Sequence, residues 1–228
     1  MPAGRAPERV SELALIPVAA TGLFYVLSPH LRAMPAVQFL PQVLGYLALA
    51  IWVLRNRNVV DRLGLRYRHV GEGARWGMPT GLALGLLNVS VILWLFPWLG
   101  YDISFLRNTP HARVPVLLMV PWFILGIAIA VEVNFRGFLL GRLLALAARV
   151  SPFNQLRAGQ ALAVATSAVV FSFDPFMVAT FKHLHWIAVW DGLVWGMIWL
   201  RIRNLYATIL AHAVEVVVMY SILRIVLS

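Results

Sequence analysis

Residues 114–136 read VPVLLMVPWFILGIAIAVEVNFR. A helix that crosses about 30 Å of hydrocarbon needs about 20 mostly apolar residues, and residues 114–134 supply them. The run ends on Glu132 and Arg136, which stand at i and i+4 on one helix face, so a carboxylate meets a guanidinium where a lipid-facing residue is expected. Beyond Arg136 the apolar pattern continues as an amphipathic helix to about residue 149.

The rest of the chain reads the same way. Its 228 residues are 61% hydrophobic and 12% charged, with a mean hydropathy of +0.81, against about 45–50% apolar and about 25% charged for soluble domains. An ordinary cytosolic enzyme and a disordered tail are excluded. With no cysteine, a disulfide scaffold and a zinc-thiolate site are excluded too. Further apolar runs occupy about 12–30, 37–54, 76–98, 160–178, 184–200 and 205–227. The expected fold is all-α: a polytopic transmembrane bundle of about seven spans, forming a single integral membrane domain over 1–228. The first run is read as a retained span, because two Arg and a Glu precede it and no small-residue cleavage site leads into a polar region.

The net charge of +10 comes from 18 Arg and one Lys against nine acids. These cations punctuate apolar runs instead of forming a solvated basic face, so no nucleic acid is expected as a partner. Seven spans put fourteen of them on the side of the N-terminus and five on the other. The positive-inside rule then makes the N-terminus cytoplasmic and the C-terminus external, as in a bacterial inner membrane. Gly77, Gly81 and Gly85 form a ridge at four-residue spacing, and Gly192 with Gly196 a second, which predicts close helix approach.

Ionisable groups inside spans cost about 2.5–3.5 kcal/mol each at the bilayer centre and are functional candidates by default. Here they are Glu132, Arg136, Asp174, Asp191, His212 and Glu215. His212 and Glu215, at i and i+3, share a face of the last run. Two readings stay open. One is chemistry, with a carboxylate as general base on water, His as its partner and Arg as charge stabiliser. The other is a buried polar network that fixes helix register or holds a partner's polar group.

The segment 131–139, VEVNFRGFL, resembles the first motif of the CPBP family (also called Abi), the CAAX-protease and bacteriocin-processing membrane proteins, which reads Glu-Glu-x-x-x-Arg. The glycine-spaced run from Gly192 to Gly196 and the helix from Asn204 through His212 resemble its last two helices. Asp61 to Arg66 resembles its cytoplasmic loop. The resemblance covers about 60–220 and implies intramembrane peptide cleavage, but the pattern is eroded. The first Glu falls on Val131, so only Glu132 survives. Arg136 and His212 match. The family's Phe-x-x-x-His fits best at 170–174, where its His becomes Asp174, with a literal match at Phe181 and His185. The last-helix Asn falls on Val216.

The expectation is therefore a CPBP-fold protein with a degenerate site, acting as a scaffold, regulator or accessory subunit in contact with the bilayer and other membrane proteins. Arg136, Asp191 and Glu215 are its binding residues. The alternative is an active glutamic endopeptidase with Glu132 and Asp174 as the base pair and His212 at the oxyanion. A third reading is a pigment or haem subunit ligated by His183, His185 or His212. No cofactor and no metal is assigned, His183 and His185 being the nearest approach to a ligand pair.

Overall fold

The computed structural model describes residues 8–150 and 156–227, and every regular element among them is helical. Seven helices carry the architecture: α1 (Leu15–Phe24), α2 (Leu40–Arg55), α3 (Val70–Ser90), α4 (Val116–Arg149), α5 (Leu156–Ser172), α6 (Ile187–Ile202) and α7 (Leu205–Leu227). A π-helical stretch, Val91–Leu95, extends α3 to Trp98.

Fewer helices reach bilayer length than the hydropathy runs suggest. Three do so singly: α3 with its extensions, α4 and α7. Helices α5 and α6 form a pair bent by 53° at a break, and α1 and α2 are shorter apolar helices. Proline explains the difference. It pushes the preceding residue out of the α region, and Ser28, Met34 and Asp174, each before a proline, are extended with ψ of 151°, 123° and 129°. Hydropathy does not register these interruptions. Pro115 stands at the start of α4, and Pro121 lies in the π-helical stretch Met119–Ile124.

The main helix pair is α3 against α7. A Cβ at Gly77 would stand 2.4 Å from the Ala207 carbonyl oxygen, and one at Gly81 2.4 Å from that of Ala211. Only hydrogen lets the backbones come this close, so the glycine ridge sets the helix separation. The second ridge acts likewise between α6 and α5, where a Cβ at Gly192 would lie 2.9 Å from Ala168 Cα.

One end of the bundle gathers the arginine-bearing segments. Glu8 accepts from Trp52 Nε1 at 3.0 Å and pairs with Arg62 at 3.2 Å and with Arg142, while Arg149 pairs with Glu12 at 2.7 Å. The loop at Gly64, φ +83°, accepts the Leu205 N–H at 3.0 Å. Arg136 and Arg142 are buried, so two of the fourteen arginines counted toward orientation are interior groups and not loop charges. Outward-facing Leu54, Trp98 and Leu117 are more than 80% or about 80% exposed, at 83%, 80% and 85%. Such surface suits acyl chains and not water.

Candidate functional site

The middle of the bundle brings four helices to one polar cluster. Glu132 and Arg136 come from α4, where the helix passes into the π-helical stretch Val133–Leu140. Single π turns inside α-helices often mark functional sites. Both side chains are fully buried, with Arg136 Nη1 3.3 Å from Glu132 Oε1. From α7, His212 Nδ1 lies 3.0 Å from the same Oε1. Glu132 is thereby held from two sides. Arg136 lies over the rings of Phe171 at 4.6 Å and Trp195 at 4.9 Å, and His212 stacks on Trp195 at 4.6 Å and 20°. Gly192 makes room for the guanidinium, since a Cβ there would stand 3.2 Å from Nη2.

A second layer adjoins this one. Asp191 of α6 and Glu215 of α7 contact each other through their carboxyl groups, an arrangement that needs one proton between them. Asn88 of α3 bridges the pair: its Nδ2 stands 3.2 and 3.1 Å from the two Asp191 oxygens and 2.8 Å from Glu215 Oε1. Trp190 Nε1 donates to Asn88 Oδ1 at 2.9 Å, which orients the amide. Asn88 is not ionisable, so the rule that singles out charged groups inside spans does not reach it. Its sequence signal is an amide three residues past Gly85, on the ridge that faces α7.

Against this cluster lies a cavity of about 550 Å³, with Asp191, His212 and Glu215 in its wall. Val131, Phe171 and Val216 line it as well. The two positions at which the resemblance expects a water-activating Glu and an Asn are thus apolar surface facing the cavity.

Other expected site residues lie elsewhere. Asp174 does not join Glu132: its Oδ1 accepts from Gln42 Nε2 at 2.8 Å and from the amides of Phe176 and Met177 at 3.0 and 3.3 Å, capping the helix Pro175–Phe181. An Asp before Pro is a natural N-cap, and that local role takes the carboxylate. His185 Nδ1 is 2.5 Å from the Lys182 carbonyl, and His183 stacks on Tyr101 at 4.6 Å. Among the described residues, no group of three His, Asp or Glu is placed to hold a metal ion. His212 is engaged through Nδ1 by Glu132 and through its ring face by Trp195.

No curated protein and no solved structure matches the chain. A family model does: that of the Type II CAAX prenyl endopeptidase Rce1-like proteins, over residues 113–218. This stretch contains Glu132, Arg136, Asp191, His212 and Glu215, every member of the buried cluster except Asn88. Over this stretch, a little under half of its length, the chain is similar to the Rce1-like CAAX prenyl endopeptidases.

Proposed function

We propose that this chain is a catalytically degenerate Rce1-like membrane protein that works by binding, as a scaffold, regulator or accessory subunit of a membrane complex, with its arginine-rich end cytoplasmic. The observation that carries this reading is the cavity wall. Val131 and Val216 face the space where a water-activating carboxylate and its amide partner would stand, and a valine neither accepts a proton nor orients water. The surviving carboxylate, Glu132, is bound between Arg136 and His212, so its role is to hold α4 against α7. The cavity is retained. Its volume falls within the roughly 300–1,000 Å³ of ligand sites, and its walls suit an apolar chain.

The competing reading, an active glutamic endopeptidase, draws support from the 3.0 Å contact between His212 and Glu132 and from the carboxyl pair in the cavity wall. A cleavage assay separates the two. Purified protein is incubated in lipid nanodiscs with a prenylated CAAX peptide, and products are read by mass spectrometry. The binding reading expects no product above the background of Glu132→Gln and His212→Ala. Product that disappears in those variants overturns it.

A further inference from the structure

The polar groups on the inner wall of the cavity have one property in common. Asp191 and Glu215 present four carboxyl oxygens, and apart from the contact of the two carboxyl groups with each other, the side chain directed at them is the amide of Asn88. Among the described residues, no N–H donates to Glu215 Oε2, although the residue is only 1% exposed. When His212 donates its Nδ1–H to Glu132, its Nε2 is left as an acceptor lone pair. Arg136, the cation of the cluster, stands behind these groups and does not line the cavity. The inner wall therefore offers acceptors and carries negative charge.

The remaining wall is long and mainly apolar, with Arg107, Thr109 and Arg224 among its other polar members. On α7 it runs from His212 through Val216 and Met219 to Leu227, fifteen helical steps or about 22 Å at 1.5 Å per step. Arg224 lies about 13 Å beyond Glu215 along this helix, where its guanidinium is taken up by Tyr220 and the Val114 carbonyl. An occupant must match acceptors at the inner end and hydrocarbon along the length.

Resting on the binding reading above, we propose that this cavity holds a single-chain amphiphile with a primary ammonium group. The ammonium lies at the inner end, donating to Glu215, Asp191 and His212, and the chain lies along α7. An ammonium brings three donors and no acceptor, and its charge offsets the anionic pair. A carboxylate head would meet like charge, and a hydroxyl would satisfy one acceptor and offset no charge.

The test uses the full chain in nanodiscs, with dodecylamine, dodecanol, dodecanoate and dodecyltrimethylammonium as probes. Binding is read by fluorescence of Trp190 and Trp195 and by thermal shift. Dodecylamine, protonated at neutral pH as lysine is, is expected to bind saturably and at least tenfold more tightly than the other three. Charged hydrogen bonds of this kind correspond to about 10- to 100-fold in affinity, so Glu215→Gln and Asp191→Asn should each weaken dodecylamine by that order while leaving dodecanol unchanged. Retained dodecanol binding shows that the variants are folded. Val131→Phe, which narrows the apolar wall, should weaken all four probes.

If dodecanol or dodecanoate binds as well as dodecylamine, the ammonium assignment is wrong and the apolar cavity stands. Equal binding of the trimethylammonium probe shows that charge without N–H donation suffices, and the donor geometry is wrong. If no probe binds and the CAAX peptide is cut, the binding reading falls with it.

Discussion

Replacing Arg136 with Met keeps the length of the side chain and removes its charge. Arg136 is fully buried, 3.3 Å from Glu132, and sits in the field of Asp191 and Glu215 as well. Removing one partner of a buried ion pair costs about 3–5 kcal/mol, because the charge left behind has neither water nor a counterion. The contacts with Phe171 and Trp195 at 4.6 and 4.9 Å add about 0.5–2 kcal/mol each when desolvated. The loss is then about 4–9 kcal/mol, and since a protein of this size loses about 2–4 °C per kcal/mol, Arg136→Met should lower the apparent midpoint by about 8–36 °C at a fixed scan rate. The double variant Arg136→Met/Glu132→Gln is the control. With both charges gone, the penalty of an orphaned charge goes too, and about 2 kcal/mol or more should return. Intrinsic tryptophan fluorescence during heating in nanodiscs reports all three proteins. A single variant within about 1 kcal/mol of the parent, or a double variant no better than the single, would refute a structural role for the pair.

Three further outcomes follow from the packing. Gly81→Leu should abolish the folded state or separate α3 from α7, since even a Cβ there stands 2.4 Å from the Ala211 carbonyl oxygen and overpacking costs about 1–3 kcal/mol or more; Gly22→Leu, with open space around it, should be neutral in the same thermal assay. Asp174→Ala should lower stability by about 0.5–2 kcal/mol, the worth of an N-cap, and leave both ligand binding and peptide cleavage as in the parent; a selective effect on either would return Asp174 to the site. Glu8→Gln should weaken the arginine-rich end, because Arg142, 3% exposed, loses its carboxylate partner, and limited proteolysis near residues 56–66 should accelerate, a change that fails to appear if Glu8 only decorates the surface.

Much of this protein is legible in one dimension. Composition alone places it in the bilayer, since 61% hydrophobic residues cannot be buried in a chain of 228 without facing lipid. Helix periodicity alone puts Arg136 one turn beyond Glu132, and Glu215 on the face of His212, because both spacings are contacts within a single helix. The glycine ridges announce close approach, again through a local period. Hydropathy does not show where a proline interrupts a helix, at Ser28, Met34 and Asp174, and so does not tell which runs reach bilayer length as single helices.

What only the tertiary structure decided are the meetings between helices. Glu132 with His212 and Asp191 with Glu215 join residues 80 and 24 positions apart, and Asn88 is drawn in from 103 positions before Asp191. No spacing rule relates them. Asp174 and Asp191 look alike as lone acids in apolar runs, yet one caps the helix that follows it and the other faces the cavity. The difference lies in what the neighbouring helices offer each carboxylate: two free amides and Gln42 for Asp174, Asn88 and a second acid for Asp191. Periodicity determines which way a side chain points from its own helix, and packing determines what stands opposite.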